Sequence, residues 1–357
     1  MTTQELDMAK VEAFGGQLVG LLTGAYVTPM LSIGHRTGLF DTMAGLPAST
    51  STEIAAAAGL DERYVREWLA ALVCTRIIEY DPASRTYRLP PEHAAMLTRA
   101  AGPNNFARIA QFGAQFGLVE DQIVDCFRHG GGLSYSAYTK FGPLMAELSG
   151  EVLDARLTGT ILPLVPGLVE RLRQGIDVAD VGCGYGHAIN LMAREFPASR
   201  FTGYDFLPES VAVGRDEALA WGLTNARFLE QDIAKLDETG AYDFITAFDT
   251  IHDQAQPGRV LANIARALRP GGRFLMVDVA ASSNLEENLE HPMGAVYYAT
   301  SVIHCMSVSL AQGGEGLGTM WGEQTARRML AEAGLAVESV ARVDGDMENS
   351  YYVCRKA

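Results

Sequence analysis

Cysteine is scarce in this sequence, and basic residues are few. The five cysteines are widely separated and form no CxxC pair: Cys74, Cys126, Cys183, Cys305 and Cys354. This pattern excludes a disulfide framework and argues against a zinc site made of thiolates. Lysine and arginine number 28 against 43 aspartates and glutamates. The resulting formal net charge of −15 repels phosphate backbones and anionic lipids over most of the surface.

The N-terminus lacks the basic segment and the cleavage site of a secretory signal. Together with the negative charge, this absence leads us to expect a cytoplasmic protein. We expect neither a nucleic acid nor a membrane as its partner.

With 357 residues, 48% of them hydrophobic, the chain is long enough for two or three domains. We predict a winged-helix domain that serves dimerisation at residues 1–100 and an α/β domain at 171–357. Between them, residues 101–170 are predicted to be a helical linker that also acts as a substrate lid. This region is rich in aromatic residues and is broken by "GGG" at 130–132, which suits a lid.

Two features organise the first hundred residues. Residues 1–30 are apolar on most sides of a predicted helix, so we expect burial in the chain's own core or against a second subunit. Further on, Ser51 or Thr52 is expected to cap a helix ending at Gly59, and Asp61 to cap a helix from Glu62 to about Val73. "IIEY" and "TYRL" then alternate around the turn "DPAS", which predicts a hairpin and hence a winged helix.

A winged helix raises the possibility of DNA binding. The helix in the recognition position offers Glu62, Arg63, Arg66 and Glu67, two acids beside two bases. Because basic residues must dominate where a helix meets phosphates, we favour a dimerisation module over a DNA-binding one.

From about residue 171, apolar strands alternate with segments of helical periodicity. The strand candidates are "DVADVG", "RFTGYD", "ARFLEQD", "YDFITAFD", "RFLMVDV", "AVESVARV" and "SYYVCRKA". This alternation predicts a doubly wound α/β sheet. The last two strands are joined by "DGDMEN", which is too short for a crossover helix, so that pair is predicted to be an antiparallel hairpin.

A glycine-rich bend, "DVGCGYG", follows the first of these strands. Gly182, Gly184 and Gly186 allow unusual backbone angles and the close approach of backbone to a ligand. Their GxGxG spacing differs from the GxGxxG of dinucleotide sites. Asp180, two residues before the first glycine, suits an ammonium group better than a pyrophosphate. S-adenosylmethionine carries an ammonium group and no phosphate, so we predict that it binds here.

Two further acids follow the next two strands. Asp205 is placed to accept both ribose hydroxyls, and Asp232 to accept from the adenine amino group, with Ile233 as an apolar neighbour of the ring. Phe206 and Asp249, beside the ends of the second and fourth strands, are further candidates for cofactor contacts. Acids at three successive strand ends predict a methyltransferase, because ligands bind at this edge of a parallel sheet.

The chain from about 171 to 357 resembles the class I S-adenosylmethionine-dependent methyltransferases, including their terminal antiparallel hairpin. With its winged helix, it is similar to small-molecule methyltransferases whose winged domain serves for dimerisation. "LSIGHRTGLF", "YRLPPEH" and "GDMENSYYV" resemble a bacterial subgroup. The resemblance implies a Rossmann-like, seven-stranded, mostly parallel sheet, a homodimer and a small-molecule acceptor of secondary metabolism. A regulator that binds both S-adenosylmethionine and DNA is the rival hypothesis.

The methyl acceptor is expected at the carboxyl end of the fourth strand, where His252 and Asp253 follow. In the plant-type O-methyltransferases that the chain resembles, a histidine in this position is the base that deprotonates a hydroxyl. O-methylation with His252 as base is therefore one hypothesis for the reaction.

His304 lies in an otherwise apolar segment, "YYATSVIHCMSVSL", and favours a different reaction. It is either a core histidine or a metal ligand. The chain also resembles bacterial metal-dependent C-methyltransferases that act on the β-carbon of 2-oxo acids. That resemblance implies His252, Asp253 and His304 as ligands of iron or zinc, unless Asp253 takes the proton instead. We prefer this C-methylation to O-methylation.

Four residues are candidates for contact with the acceptor. Lys140 is predicted to meet a substrate carboxylate, although related sequences favour arginine there. Tyr138, Tyr298 and Asn349 are predicted to line the pocket.

Overall fold

The computed structural model of the protein describes residues 6–346 and 348–357. The chain forms two compact units that divide between Gly117 and Leu118. This division falls inside the region predicted as linker and lid. The part played by 101–170 as a lid stays a prediction.

The first unit is mainly helical. Its α-helices are Met8–Thr37, Leu39–Ala44, Ser51–Ala58, Glu62–Cys74, Pro91–Leu97, Phe106–Ile109 and Gln111–Gly117. A short antiparallel hairpin of strands β1 (Glu79–Asp81) and β2 (Thr86–Arg88) supplies the wing. The predicted succession of helix, turn, helix and two-stranded wing is confirmed.

The helix caps of this unit agree with the prediction at one site and differ at another. Asp61 caps Glu62–Cys74 by accepting from the backbone N–H of Arg63 at 3.0 Å, as predicted. The preceding helix is capped by Thr50, and the prediction of Ser51 or Thr52 was wrong. Thr50 and Glu53 satisfy each other's backbone N–H groups in a capping box, which fixes the helix start one residue earlier.

The long N-terminal helix corrects the expectation of burial in the chain's own core. Of the predicted stretch, residues 1–5 lie outside the described residues, and the helix runs over Met8–Thr37. Its buried residues all fall in the last turns, whereas Leu22 and Tyr26 are 59% and 80% exposed. By length and composition alone this helix is apolar enough to cross a membrane, with a mean hydropathy of 1.2. Helices of soluble proteins reach the same value, and 17% of the window is buried.

The second unit is built on one seven-stranded sheet. Its strands are β3 (Asp177–Val181), β4 (Arg200–Asp205), β5 (Ala226–Glu230), β6 (Tyr242–Phe248), β7 (Leu268–Val279), β8 (Leu335–Ala341) and β9 (Asn349–Lys356). They lie in the order β5-β4-β3-β6-β7-β9-β8. The first five strands are parallel, and β9 pairs antiparallel with both β7 and β8. The predicted Rossmann-like sheet and its terminal hairpin are confirmed.

Helices connect and cover these strands. The α-helices are Glu120–His129, Phe141–Arg156, Leu168–Gln174, His187–Glu195, Pro208–Ala220, Pro257–Ala267, Gly294–Thr300, Met306–Ala311 and Gly322–Glu332. Two π-helical turns, Leu157–Ile161 and Ser301–Cys305, extend neighbouring helices. "GGG" at 130–132 lies outside any helix, as expected.

Two apolar cores lie on the two faces of the sheet. Alternate residues of β3 enter different cores, Val178 on one face and Ala179 on the other. This alternation follows from the two-residue repeat of a strand, and burial on both faces explains why the strands are continuously apolar. Because both faces of the sheet are covered, the candidate functional side chains lie at its carboxyl edge, where polar residues follow the strands.

Candidate active site

A cavity of about 910 Å³ opens at the carboxyl edge of the parallel strands. The residues predicted for the cofactor all line it: Asp180, Gly182, Gly184, Gly186, Asp205, Phe206, Asp232, Ile233 and Asp249. Asp253 and Tyr138 also line it, so residues predicted for cofactor and acceptor share one cavity. Their individual roles stay predictions.

The three glycines of the bend, Gly182, Gly184 and Gly186, differ in what surrounds them. All have positive φ, between 52° and 76°. A Cβ on Gly182 would lie 2.0 Å from Thr250 Oγ1, and one on Gly186 would lie 2.2 Å from Phe228, so these two permit close packing of the protein. At Gly184 a Cβ would meet no atom of the described chain within 4 Å. Gly184 therefore leaves open space for a ligand.

Asp180 is the residue before the last one of β3; its side chain is buried and its pKa is shifted. Its Oδ1 accepts a hydrogen bond from Thr246 Oγ1 at 2.7 Å. Burial, with the charge of Asp205 adding to it, raises the pKa of Asp180 to about 7, although the Thr246 hydrogen bond opposes the shift. A buried carboxylate of this kind is stabilised by a cation, such as an ammonium group.

Asp205 and Asp232 shape the backbone that surrounds them. The two oxygens of Asp205 accept from the N–H groups of Gly184 and Leu207, both at 2.9 Å. Burial raises the pKa of Asp205. Asp232 accepts from Ala234 N at 2.9 Å and so begins the short turn Ile233–Lys235. Each carboxylate oxygen keeps a second lone pair for a ligand hydroxyl or amino group.

Asp249 is strained, and it is partly buried. Its φ is 47°, a left-handed value that non-glycine residues seldom adopt. Its N–H donates to Val277 O at 2.9 Å, while the buried Oδ1 has no hydrogen-bond partner among the described residues. Burial, together with the charge of Asp278, raises the pKa of Asp249 well above its usual range. Strain of this kind concentrates at functional sites.

His252 is held between two carboxylates. Its Nδ1 lies 2.7 Å from Asp278 Oδ1, and its Nε2 lies 3.3 Å from Asp253 Oδ1. Asp278 is fully buried and also accepts from Trp321 Nε1 at 3.1 Å. Burial lowers the pKa of His252, but the carboxylates of Asp278 and Asp253 outweigh it, and the pKa lies well above the usual value.

Asp253 is tied to the aromatic wall of the cavity. Its Oδ2 accepts from Tyr135 OH at 3.2 Å, whereas its buried Oδ1 accepts no hydrogen bond from the described chain. Tyr135 also packs edge-on against Phe206, with ring centroids 5.4 Å apart. This oxygen lies 3.3 Å from His252 Nε2, so the pair can hold either a proton or, when the ring is neutral, a divalent ion.

His304 lies beside this site and, like His252, is not among the residues that line the cavity. Its ring stacks on Phe141, with centroids 3.5 Å apart, and meets the edges of Tyr135 and Tyr138. Neither ring nitrogen has a hydrogen-bond partner among residues 6–346 and 348–357. Burial lowers the pKa of His304 to about 4, so the ring is neutral at physiological pH.

Three of the four predicted acceptor residues are not among the residues that line the cavity, and their roles stay predictions. Lys140 is exposed at the start of the helix Phe141–Arg156. Tyr298 accepts from Asn288 Nδ2 at 3.2 Å instead. Asn349, the first residue of β9, donates its side-chain amide to Asp346 Oδ2 at 3.4 Å. Tyr138 does line the cavity, and its hydroxyl donates to Ile303 O.

Asp278 was not predicted from the sequence, yet the signal was present. It stands near the end of the fifth strand candidate, "RFLMVDV", just as Asp180 stands at the end of the first. β7 lies next to β6, so this acid meets the loop that carries His252.

A seven-stranded sheet of this order, with a glycine bend after β3 and acids at the ends of β3, β4 and β5, is the arrangement that the sequence predicted for a methyltransferase domain. Comparison with known families agrees. Residues 172–334 match the model described as a methyltransferase domain, and residues 25–99 match that of the Rv2258c-like winged HTH domain. The chain thus carries a winged helix-turn-helix domain followed by a methyltransferase domain.

Curated relatives resemble part of this chain. The ubiquinone biosynthesis O-methyltransferase of Sodalis glossinidius is 36% identical over 100 residues, which is 28% of this chain and 39% of that protein. The demethylmenaquinone methyltransferase of Thermus thermophilus is 31% identical over 102 residues, which is 28% of this chain and 46% of that protein. The chain therefore spans less than half the length of these two relatives.

Solved structures resemble nearly the whole chain. The mitomycin 7-O-methyltransferase has a TM-score of 0.70 at 19% identity and covers 98% of this chain and 99% of its own. Human N-acetylserotonin methyltransferase, solved in complex with S-adenosylmethionine, has a TM-score of 0.69 at 17% identity. It covers 100% of this chain and 99% of its own. At these identities the likeness shows the fold.

Proposed function

We propose that this protein transfers a methyl group from S-adenosylmethionine to a small molecule. One observation carries the proposal: a single cavity is lined by the acids at three successive strand ends and by Asp253 in the loop after the next strand. When bound, S-adenosylmethionine supplies an electrophilic methyl group. The protein's part is to hold donor and acceptor in line and to activate the acceptor.

In this proposal the donor is held by charge and hydrogen bonds. Asp180 pairs with the ammonium group, Asp205 accepts from the ribose hydroxyls, and Asp232 accepts from the adenine amino group. Gly184 admits the ligand next to the backbone. Support comes from the burial of Asp180, whose carboxylate lacks a cationic partner among the described residues.

For the acceptor we propose the β-carbon of a small 2-oxo acid, methylated with the help of a divalent ion at His252 and Asp253. Such an ion, when bound, supplies Lewis acidity that makes the protons on that carbon easier to remove. The unsatisfied Asp253 Oδ1, 3.3 Å from His252 Nε2, supports an ion at this place. Lys140 is not among the residues that line the cavity, so in this proposal the ion binds the substrate carboxylate.

A second candidate is O-methylation with His252 as general base. The hydrogen bond between His252 Nδ1 and Asp278 supports it, because a carboxylate there orients the ring and stabilises the protonated form. The names of the structural neighbours, among them mitomycin 7-O-methyltransferase, also favour transfer to oxygen.

One assay separates the two candidates. Protein purified without a histidine tag is offered a panel of 2-oxo acids and a panel of phenols, before and after treatment with a chelator. Metal-assisted C-methylation predicts turnover of 2-oxo acids that the chelator abolishes and added Zn²⁺ or Fe²⁺ restores. Turnover of phenols that survives the chelator would support O-methylation instead.

We further propose that the protein is a homodimer whose contact includes the helix Met8–Thr37. Exposed apolar side chains on this helix, such as Leu22 and Tyr26, support a partner surface. Gly16, Gly20 and Gly24 repeat every four residues, and a Cβ on each would meet no described atom within 4 Å, so another helix can approach closely.

We propose that the winged helix does not bind DNA. On the helix Glu62–Cys74, which occupies the recognition position, Arg63 pairs with Glu67 at 2.6 Å and Arg66 pairs with Glu62 at 3.5 Å. These pairs neutralise the arginines that would meet phosphates. An electrophoretic shift of genomic DNA fragments at physiological salt would contradict this proposal and favour a regulator.

A further inference from the structure

We propose that the third protein ligand of the ion is the thiolate of Cys305, so that His252, Asp253 and Cys305 form the site and His304 does not ligate. The inference rests on the proposed function only in taking the ion to be present at His252 and Asp253. The ligand is a divalent transition ion that accepts thiolate, of the zinc or ferrous class.

The first argument is convergence of donor atoms. One donor atom each from His252, Asp253 and Cys305 lies within 4.8 Å of the other two, and His252 and Cys305 are buried. Ligand atoms bonded to zinc at about 2.0–2.1 Å with tetrahedral angles stand about 3.3 Å apart. The distance between His252 Nε2 and Asp253 Oδ1 is 3.3 Å. Two protein ligands thus already have the separation that a tetrahedral ion requires.

The second argument is that the surrounding groups orient the donors. Asp278 holds His252 through Nδ1 at 2.7 Å, which leaves Nε2 as the coordinating atom. Tyr135 OH donates to Asp253 Oδ2, which leaves Oδ1 as the coordinating oxygen. A carboxylate behind a metal-binding histidine is the usual support in such sites. Three protein ligands also leave one tetrahedral position open for a substrate, as in catalytic zinc sites.

The third argument separates Cys305 from its neighbour. Both residues belong to the π-helical turn Ser301–Cys305, so their side chains leave the helix in different directions. Within this turn the Sγ of Cys305 lies near the donor atoms of His252 and Asp253. The ring of His304 instead stacks on Phe141, with ring centroids 3.5 Å apart. Moving His304 to the ion would break this stack and the edge contact with Tyr138 at 4.6 Å.

Cobalt titration tests this assignment without relying on turnover. Untagged full-length protein is stripped with a chelator, and Co²⁺ is added while the near-ultraviolet spectrum is recorded. Thiolate ligation gives an intense sulfur-to-cobalt charge-transfer band, which imidazole and carboxylate ligands do not produce. We expect the band in the wild type, its loss in Cys305→Ser, and Co²⁺ binding weakened by at least about tenfold in that variant.

Two further variants make the result specific. Cys354→Ser removes another buried thiol, in β9, and is expected to keep the band. His304→Phe keeps the stack on Phe141 while removing both ring nitrogens, and it too is expected to keep the band. Circular dichroism of each variant verifies folding.

The outcomes distinguish this inference from the proposed function. If His304→Phe abolishes Co²⁺ binding and Cys305→Ser retains the band, the inference is overturned while a metal-assisted reaction stands. If the wild type binds no Co²⁺, the inference and the metal-assisted reaction both fail, and O-methylation remains. If the band depends on Cys305 but no 2-oxo acid is methylated, the site stands and the proposed acceptor is wrong.

Discussion

Nδ1 of His252 lies 2.7 Å from Oδ1 of Asp278, and both side chains are buried. The two residues come from a loop after β6 and from β7, which are neighbours in the sheet. A hydrogen bond to a buried carboxylate fixes the orientation of an imidazole ring and assigns its proton to the bonded nitrogen. Nε2 faces Asp253 and becomes available to an ion or a substrate once it has lost its own proton, because the two carboxylates raise the pKa of the ring.

We expect Asp278→Asn to lower kcat by about 10- to 100-fold with little change in cofactor affinity. The substitution keeps the shape but removes the charge that orients His252 and raises its pKa. The acidic limb of the pH–rate profile should therefore move to lower pH. Steady-state kinetics across pH measure both effects, with the exposed Asp216→Asn as the control. An unchanged profile would mean that Asp278 acts only in packing.

Cofactor binding should weaken on acidification through Asp180. Burial raises the pKa of this carboxyl to about 7 in the ligand-free protein, and the ammonium group of the ligand requires its ionised form. Below pH 7 the affinity should fall by up to about tenfold per pH unit, and it should level off above that pH. Calorimetry with S-adenosylhomocysteine at several pH values measures this. Asp180→Asn should bind weakly with a flat pH dependence, and a flat profile in the wild type would contradict the assignment.

Gly184→Ala should weaken cofactor binding more than it destabilises the fold. Its φ of 52° costs a non-glycine residue about 1–2 kcal/mol, and its Cβ would enter the open space of the cavity. Gly222→Ala is a matched control, since Gly222 has φ 66° and a Cβ there also meets no described atom within 4 Å. We expect similar losses in Tm for both variants and a weaker Kd only for Gly184→Ala. Equal Kd values would show that Gly184 does not face the ligand.

Leu22→Glu should shift the protein from dimer towards monomer. A charge placed on an apolar helix contact is costly to desolvate, and Leu22 is 59% exposed in the single chain. Sedimentation velocity measures the change. Leu219→Glu, at a residue that is 80% exposed in the second unit, serves as the control and should leave the mass unchanged. A monomeric wild type would refute the dimer proposal.

The part of the cavity proposed for the cofactor could be predicted because its sequence signals are local. Each acid directly follows an apolar strand, and the carboxyl ends of parallel strands meet at one edge whatever the helices do. The clustered glycines of the bend likewise indicate, from the sequence alone, a backbone with positive φ values. Asp180, Asp205 and Asp232 therefore reached one cavity, as the pattern predicted.

The acceptor half depended on contacts between distant segments. Lys140 was chosen for its charge, but the start of its helix leaves it exposed. Asp278 meets His252 because β7 lies beside β6. His304 and Cys305 are adjacent, so sequence spacing could not decide which of the two side chains is the better candidate for the ion. Only the π-helical turn shows that the two side chains point in different directions.

The sequence by itself determined the succession of strands and helices along the chain, the bend at Gly184, and the acids Asp180, Asp205 and Asp232 at the strand ends. Hydrophobic periodicity and backbone preference, which act over a few residues, are sufficient for these features. The tertiary structure alone decided which side chains complete the reacting end of the cavity. That choice depends on how helices far apart in the chain rotate and pack over the sheet, and the free energy of that packing belongs to no single segment.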